Sequence, residues 1–348
     1  MSEENRKIGY AIKKIIDNHS LNEKEAYEVC MEIMEGNATP AQIGSLLTAL
    51  RMKGETVDEI TGFCRAMREK MISIKCAVEP LIDTCGTGGD GMNTFNISTT
   101  SAFIAAGAGC FVAKHGNRAV SSLCGSADLI SSLGVKLDIN YKLVKECIEK
   151  IGIGFLFAPL FHPAMKNAIG PRKEIGIRTI FNILGPLCNP AFVEYQVVGV
   201  CRKGLLEKIA QTLINLGVRQ ALIVYGCDGI DEITTTARTY VLEIKDKDEV
   251  EYEISPEDFG MKRCSMEELV VKNDKENLDS FISILKGCPG PKTDTALLNA
   301  GAAIYVAGKA NTIKQGVEMA RESIFSGSAL NKLEEFRRFV NEYAKGDN

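Results

Sequence analysis

Apolar positions over residues 5–75 recur at helical spacing. Ile8, Ile12, Ile15 and Ile16 mark a first helix. A second is predicted over 22–34, with Asn22 as N-cap and glutamates in the following turns. Thr39-Pro40 opens a third, with proline at its first position; it carries Leu46, Leu47 and Leu50 and ends at Gly54. A fourth runs over 57–71. The period changes near Val78. From there short apolar runs at 81–82, 111–113, 154–158, 196–201 and 221–225 alternate with helical stretches at 99–106, 142–151 and 205–216. This alternation predicts an α/β fold with a mostly parallel central sheet. Runs at 239–244 and 250–254, split by Lys-Asp-Lys-Asp, predict an antiparallel hairpin. From residue 296 the chain reads as helical, with one break at Ser326-Gly327-Ser328. A small helical part therefore precedes a larger α/β part. The junction at 72–78 has no Pro/Gly-rich linker, which predicts close packing of the two.

Composition narrows the function classes. The 348 residues are 45% apolar and 25% charged, an ordinary globular balance. The net charge of −4 speaks against a nucleic-acid partner, which calls for a basic excess. No apolar run approaches the ~20 residues of a membrane-spanning helix. The N-terminus MSEENRKIGYAIKK lacks the apolar core of a secretion signal, so a cytoplasmic location is expected. None of the 12 cysteines stands in a C-x-x-C pair, which points to reduced, buried thiols rather than zinc ligands or disulfides. Cys85 lies inside a glycine loop, but the sequence names no base to activate it. His19 is expected at the surface and His162-Pro163 in a turn.

Four polar clusters carry candidate chemistry. The first, DTCGTGGDG at 83–91, follows an apolar strand and precedes a helix. Its glycines leave backbone N–H groups free to surround an anion, and NTFNIST at 93–99 adds amides and hydroxyls at a helix start. A tight strand–helix turn would use the same residues. The loop is neither a Walker A motif nor a Rossmann fingerprint. The second, KHGNRAVSS with CGSAD after it, leaves the end of another strand and offers cations and hydroxyls suited to a polyphosphate or phosphosugar. A solvated polar loop is the alternative. In the third, GCDGIDE at 226–232, Asp231 and Glu232 are hard oxygen ligands suited to Mg²⁺, or part of a surface turn. The fourth, PRKEIGIRT running into FNILGPLCNP, offers arginine for a carboxylate, or a plain helix-to-loop junction.

Together and in this order, these clusters resemble the anthranilate phosphoribosyltransferase family of tryptophan biosynthesis. The likeness extends over essentially the whole chain, from the helical N-terminus through FAPLFHPAM to LNAGAA at 298–303. It implies a helical domain of 1–75, joined by a segment near 165–190, and an α/β domain of 76–348 of the nucleoside phosphorylase/phosphoribosyltransferase kind. It implies a Mg²⁺-dependent glycosyltransferase that moves phosphoribosyl from 5-phosphoribosyl 1-pyrophosphate (PRPP) to anthranilate, releasing pyrophosphate, and a homodimer without nucleic-acid or membrane partners. Carried across, Gly86, Gly89, Asp90, Thr94, Asn96, Ile97, Ser98 and Thr99 would hold PRPP. Lys114, His115, Gly116, Asn117, Arg118, Ala119, Val120, Ser121, Ser122 and Ser126 would complete that pocket. Gly86, Asn117 and Arg172 would contact anthranilate, with Arg172 facing its carboxylate and His115 lining its channel. Ser98, Asp231 and Glu232 would hold Mg²⁺, which together with Lys114 would stabilise the leaving pyrophosphate. Three rivals remain: a pyrimidine nucleoside phosphorylase, a type I phosphoribosyltransferase, and a non-catalytic nucleic-acid-binding relative. The acidic pair and KHGNR suit the first less well. The spacing from the strand to Asp231 suits the second less well, and the net charge suits the third less well.

Overall fold

The computed structural model describes residues 4–119 and 123–343. The helical part holds α1 (Glu4–Ile16), α2 (Glu23–Met34), α3 (Pro40–Lys53) and α4 (Val57–Lys70). Three of their starts are fixed by reciprocal caps: Asn22 with Glu25, Thr39 with Gln42, and Thr56 with Glu59. The chain continues through β1 (Leu81–Thr84), α5 (Ile97–Gly107), β2 (Phe111–Gly116), α6 (Ser126–Ser132), α7 (Tyr141–Ile151) and β3 (Ile153–Phe157). Next come α8 (Ala158–Phe161), α9 (Lys166–Ile175), α10 (Ile180–Ile183), β4 (Tyr195–Gly199), α11 (Leu206–Asn215) and β5 (Gln220–Gly226). The hairpin of β6 (Thr239–Lys245) and β7 (Asp248–Ile254) precedes α12 (Asp274–Leu285), α13 (Pro291–Val306), α14 (Ile313–Phe325) and α15 (Ser328–Tyr343).

One seven-stranded sheet runs in the order β3-β2-β1-β4-β5-β6-β7. The first five strands are parallel and the last two antiparallel, which bears out the α/β expectation and the hairpin. Strand residues alternate between two cores, as a sheet buried on both faces requires. Val197, Leu222 and Val224 face the layer of α5, α13 and α15, whereas Val198, Ala221 and Ile223 face α11 and the helical part. Strand order reverses between β1 and β4. Ligand crevices in open α/β sheets form at that kind of switch point, beyond the carboxyl ends of the strands.

The tail departs from its expectation. Its helix begins at Pro291 and is interrupted twice, after Val306 and at Ser326-Gly327. The extra break follows from Gly308, at a left-handed φ of +67°, and from Thr312, whose side chain caps α14 by accepting from the Gln315 amide. No described helix is long and apolar enough to cross a membrane.

Candidate active site

The segments after β1, β2 and β5, with residues of α9 and α10, surround a cavity of about 320 Å³. The loop after β1 at first continues the sheet: Cys85 N donates to Val197 O at 3.1 Å and Thr87 N to Gly199 O at 2.8 Å. It then turns away through Gly88, Gly89 and Gly91, at φ of +65°, +77° and +74°, a region that favours glycine. Gly86 is required for a different reason, since a Cβ there would run into the Asp231 carboxylate. That carboxylate accepts from Gly88 N at 2.6 Å, so the acidic loop braces the glycine loop from below.

The helix that follows has an open N-terminus. Asn96, its N-cap residue, gives α5 no side-chain cap, because its side chain pairs with Asn277 and with Cys124 O instead. Thr94, Asn96, Ile97 and Ser98 line the cavity, as do Gly86, Gly89 and Asp90. Thr99 does not. Its side chain is fully buried in the first turn of α5, outside the cavity lining.

From β2, Lys114 enters the cavity although its side chain is buried, with Nζ donating to His115 O at 3.2 Å. Gly116, Asn117, Arg118, Ala119 and Ser126 line the same wall. Asn117 N donates to Ser126 Oγ at 3.2 Å, while the Arg118 guanidinium is held by Asp128 at 2.8 Å. Val120, Ser121 and Ser122 lie outside the described residues. His115 is buried, its Nδ1 3.0 Å from Gly185 O and its ring 5.2 Å from that of His162. Because a carbonyl oxygen only accepts, Nδ1 carries the proton and Nε2 is left as an acceptor. Burial and the neighbouring His162 hold His115 down to about 3.

The acidic wall is Asp90, Asp231 and Glu232. Burial, then Asp90, pushes the Asp231 carboxyl up. Burial, then Asp231, pushes Glu232 well above the carboxylate range, with Lys114 opposing. Glu232 accepts from Ser98 N at 3.2 Å. Among the described residues no group of three or more His, Cys, Asp or Glu side chains forms a ready metal cage.

Arg172 on α9 reaches the cavity from the opposite side, its guanidinium 5.3 Å from the Phe181 ring centre. The site thus collects Arg172 and, among the described residues, every candidate ligand-binding or metal-holding residue named above, Thr99 excepted. Sequence reasoning left out Arg178, Asn182, Gly185 and Pro186, which line the same cavity. They belong to the fourth cluster, where composition does not rank one arginine above another. His162 does stand in a turn, its carbonyl accepting from Met165 N, but it is also buried against His115, and a lone histidine before proline gives no signal of that. Cys85 lines the cavity, but burial pushes its thiol up to about 12, which leaves no thiolate nucleophile near neutral pH.

Residues 10–71 match the helical bundle domain of a glycosyl transferase family, and residues 78–330 match its a/b domain. The chain is 53% identical over 333 residues to an anthranilate phosphoribosyltransferase from Acetivibrio thermocellus, covering 96% of each protein. Its fold is similar to the crystal structure of anthranilate phosphoribosyltransferase from Thermus thermophilus, with a TM-score of 0.90 at 43% identity, covering 95% of this chain and 99% of that one. The Saccharomyces cerevisiae enzyme in complex with PRPP and Mg superposes with a TM-score of 0.89 at 29% identity, over 98% of this chain and 99% of that one. With near-complete coverage in both directions and the family's motifs gathered around one cavity, the chain belongs to the anthranilate phosphoribosyltransferase family.

Proposed function

We propose that PRPP lies along the glycine loop and the open end of α5, and that anthranilate sits between Arg172, Asn117 and His115. The family's reaction, transfer of phosphoribosyl to anthranilate, is the chain's activity. The observation that carries the residue assignment is convergence: anion-binding amides, Lys114, a carboxylate cluster and Arg172 face one cavity from four separate segments.

The reaction breaks the ribose C1–O bond to pyrophosphate and forms a C1–N bond to the aromatic amine. Charge builds on the leaving pyrophosphate, and Lys114 opposes it from a buried position where screening is weak. The amine is neutral at pH 7 and needs little general-base assistance, so a buried, unprotonated His115 serves to shape and polarise the acceptor pocket. Arg172 and Asn117 hold the acceptor in line, and most of the acceleration comes from that positioning. Mg²⁺ fits the acidic wall, since Asp231 and Glu232 are two buried carboxylates whose affinity for protons is raised even with Lys114 acting on Glu232. Asp231, Glu232 and Ser98 are the residues to hold it, with substrate oxygens completing its shell, as is usual for this ion. Bound there, it would stabilise negative charge on the diphosphate. The Saccharomyces cerevisiae relative's complex with PRPP and Mg supports this reading.

Three coarser assignments accompany it. The protein is cytoplasmic, as its charged N-terminal segment suggests, and homodimeric, as the family resemblance implies. The helical domain is 1–75 with 165–190 joined to it, and 76–348 is the α/β domain. Ala168, Ile180 and Ile183 sharing a core with Ile43 and Leu46 supports that division. In the test, anthranilate fluorescence should fall only when PRPP and Mg²⁺ are both added. The absence of tryptophan leaves that signal without indole background. Constant fluorescence, with phosphate-dependent cleavage of thymidine or uridine, would favour the phosphorylase reading instead.

A further inference from the structure

Arg178 stands on the short link between α9 and α10, and both sides of that link are fixed. Gly176 ends α9 at a left-handed φ of +63°, its N–H donating to Arg172 O, and Thr179 N donates to Asn182 Oδ1 at 2.9 Å. From this mount the guanidinium extends over the glycine loop. NH2 donates to Thr87 O at 3.1 Å, and NH1 occupies the space a Cβ on Gly89 would fill. The missing side chain at Gly89 therefore lets an arginine lie on the loop backbone, in addition to permitting its positive φ. Among the described residues no carboxylate stands within ion-pair distance of Arg178, and Thr87 O is its one hydrogen bond. Most of its five N–H donors are thus unused, in a half-buried side chain that lines the cavity. A desolvated fork of free donors beside backbone amides suits a phosphate oxygen pair better than any other group the cavity would receive.

We propose that Arg178 is a diphosphate-binding residue, which closes the glycine loop over the pyrophosphate end of the substrate while Arg172 takes the acceptor's carboxylate. This rests on the phosphoribosyl-transfer reading. Two arginines on one rigid segment then divide the two anions between them. Lys114, and Mg²⁺ held by the acidic wall, would meet the diphosphate from the sheet side, and Arg178 would do so from the helical side.

The test uses Mg²⁺ and inorganic pyrophosphate as the probe, measured by calorimetry on the full chain, alongside steady-state kinetics. Arg178→Ala should weaken pyrophosphate binding by about 10- to 100-fold, as expected for loss of a charge-assisted bidentate contact. It should raise the KM for PRPP similarly and leave the KM for anthranilate near wild type. Arg178→Lys should recover part of the affinity. Arg178→Gln keeps an amide donor on a shorter side chain but carries no charge, so it should behave like the alanine variant. If Arg178→Gln binds pyrophosphate as tightly as wild type, the residue merely braces the loop and the proposal is overturned. A rise in the anthranilate KM instead would also overturn it. If wild type binds pyrophosphate and the variants lose it, yet no anthranilate is consumed, the transfer reading fails while the anion site stands. If wild type binds no pyrophosphate, both fail.

Discussion

His115 and His162 are buried with their ring centres 5.2 Å apart, and His162 makes His115 harder to protonate. Burial lowers His162 to about 4, and burial with the His162 charge lowers His115 to about 3. In an unfolded chain both titrate near 6.5, so between pH ~6.5 and ~4 the unfolded state binds more protons than the folded one. Stability contributed by these groups is therefore present above pH ~6.5 and is lost as the pH falls. Each proton adds a slope of about 1.4 kcal/mol per pH unit. Denaturant titrations across this range should show that slope, and His162→Gln should reduce it by about half. An unchanged slope in the variant would mean that other groups drive the acid sensitivity. Gly86 makes a second prediction at this scale. Its φ lies outside the left-handed region, so the constraint on it is space, because a Cβ would displace Asp231. A displacement of an ångström at a reacting centre costs on the order of 100-fold. Gly86→Ala should therefore cut kcat/KM for PRPP by about that factor while the melting temperature changes little. Full activity in the variant would show that the loop yields easily and that Asp231 is not fixed by it.

At the scale of elements, the acidic loop is positioned by a helix remote from it in sequence. Asn299 on α13 accepts from Ile233 N at 3.0 Å and donates to Ile233 O at 2.7 Å, within the core beside Asp231 and Glu232. Asn299→Ala would leave both buried backbone groups unpaired, at a cost of about 2 kcal/mol or more. Urea unfolding should register that loss, and the Mg²⁺ concentration required for half-maximal activity should rise. A stability loss with unchanged Mg²⁺ dependence would confine Asn299 to a structural role. On the other side of the cavity, α9 carries Arg172, and Arg172→Ala should raise the KM for anthranilate far more than that for PRPP. Equal effects would remove the carboxylate assignment. Elements differed in how readily they could be read from sequence. Helices with strong caps, such as that from Thr39 and Pro40, and strands buried on both faces were legible because local pattern and tertiary burial agree. The helix α9 was ambiguous because Pro171 sits inside it, and proline ordinarily marks an end. The additional break of the tail is hidden in the pattern because Ala303, Ile304 and Val306 remain apolar up to the turn, where Gly308 and the Thr312 cap divide the helix. Arg178 was indistinguishable from Arg172 until the path of α9 fixed which cavity wall each one reaches.

The whole molecule does not divide cleanly at the sequence boundary. Residues of α1 to α4 share one core with Leu206, Ile209 and Leu213 of α11 and with Val198 and Ile223 of the sheet. Removing the helical part would expose the face of α11 that packs against α4, so neither part has a complete core of its own. The cavity lies across the same junction, with Arg172 and Arg178 on a segment packed into the helical core and the glycine and acidic loops on the sheet. A ligand contacting both sides should therefore stabilise the entire chain rather than one part. At 100 times its dissociation constant, PRPP with Mg²⁺ should add about 2.7 kcal/mol. Given the average unfolding entropy per residue, this raises the melting temperature of a chain this long by about 4 °C. Heating followed by circular dichroism and by calorimetry should show one transition, displaced as a unit by the ligand. Two resolved transitions, of which only the later one moves, would mean that the helical part unfolds independently and that the substrate is held by the α/β part alone.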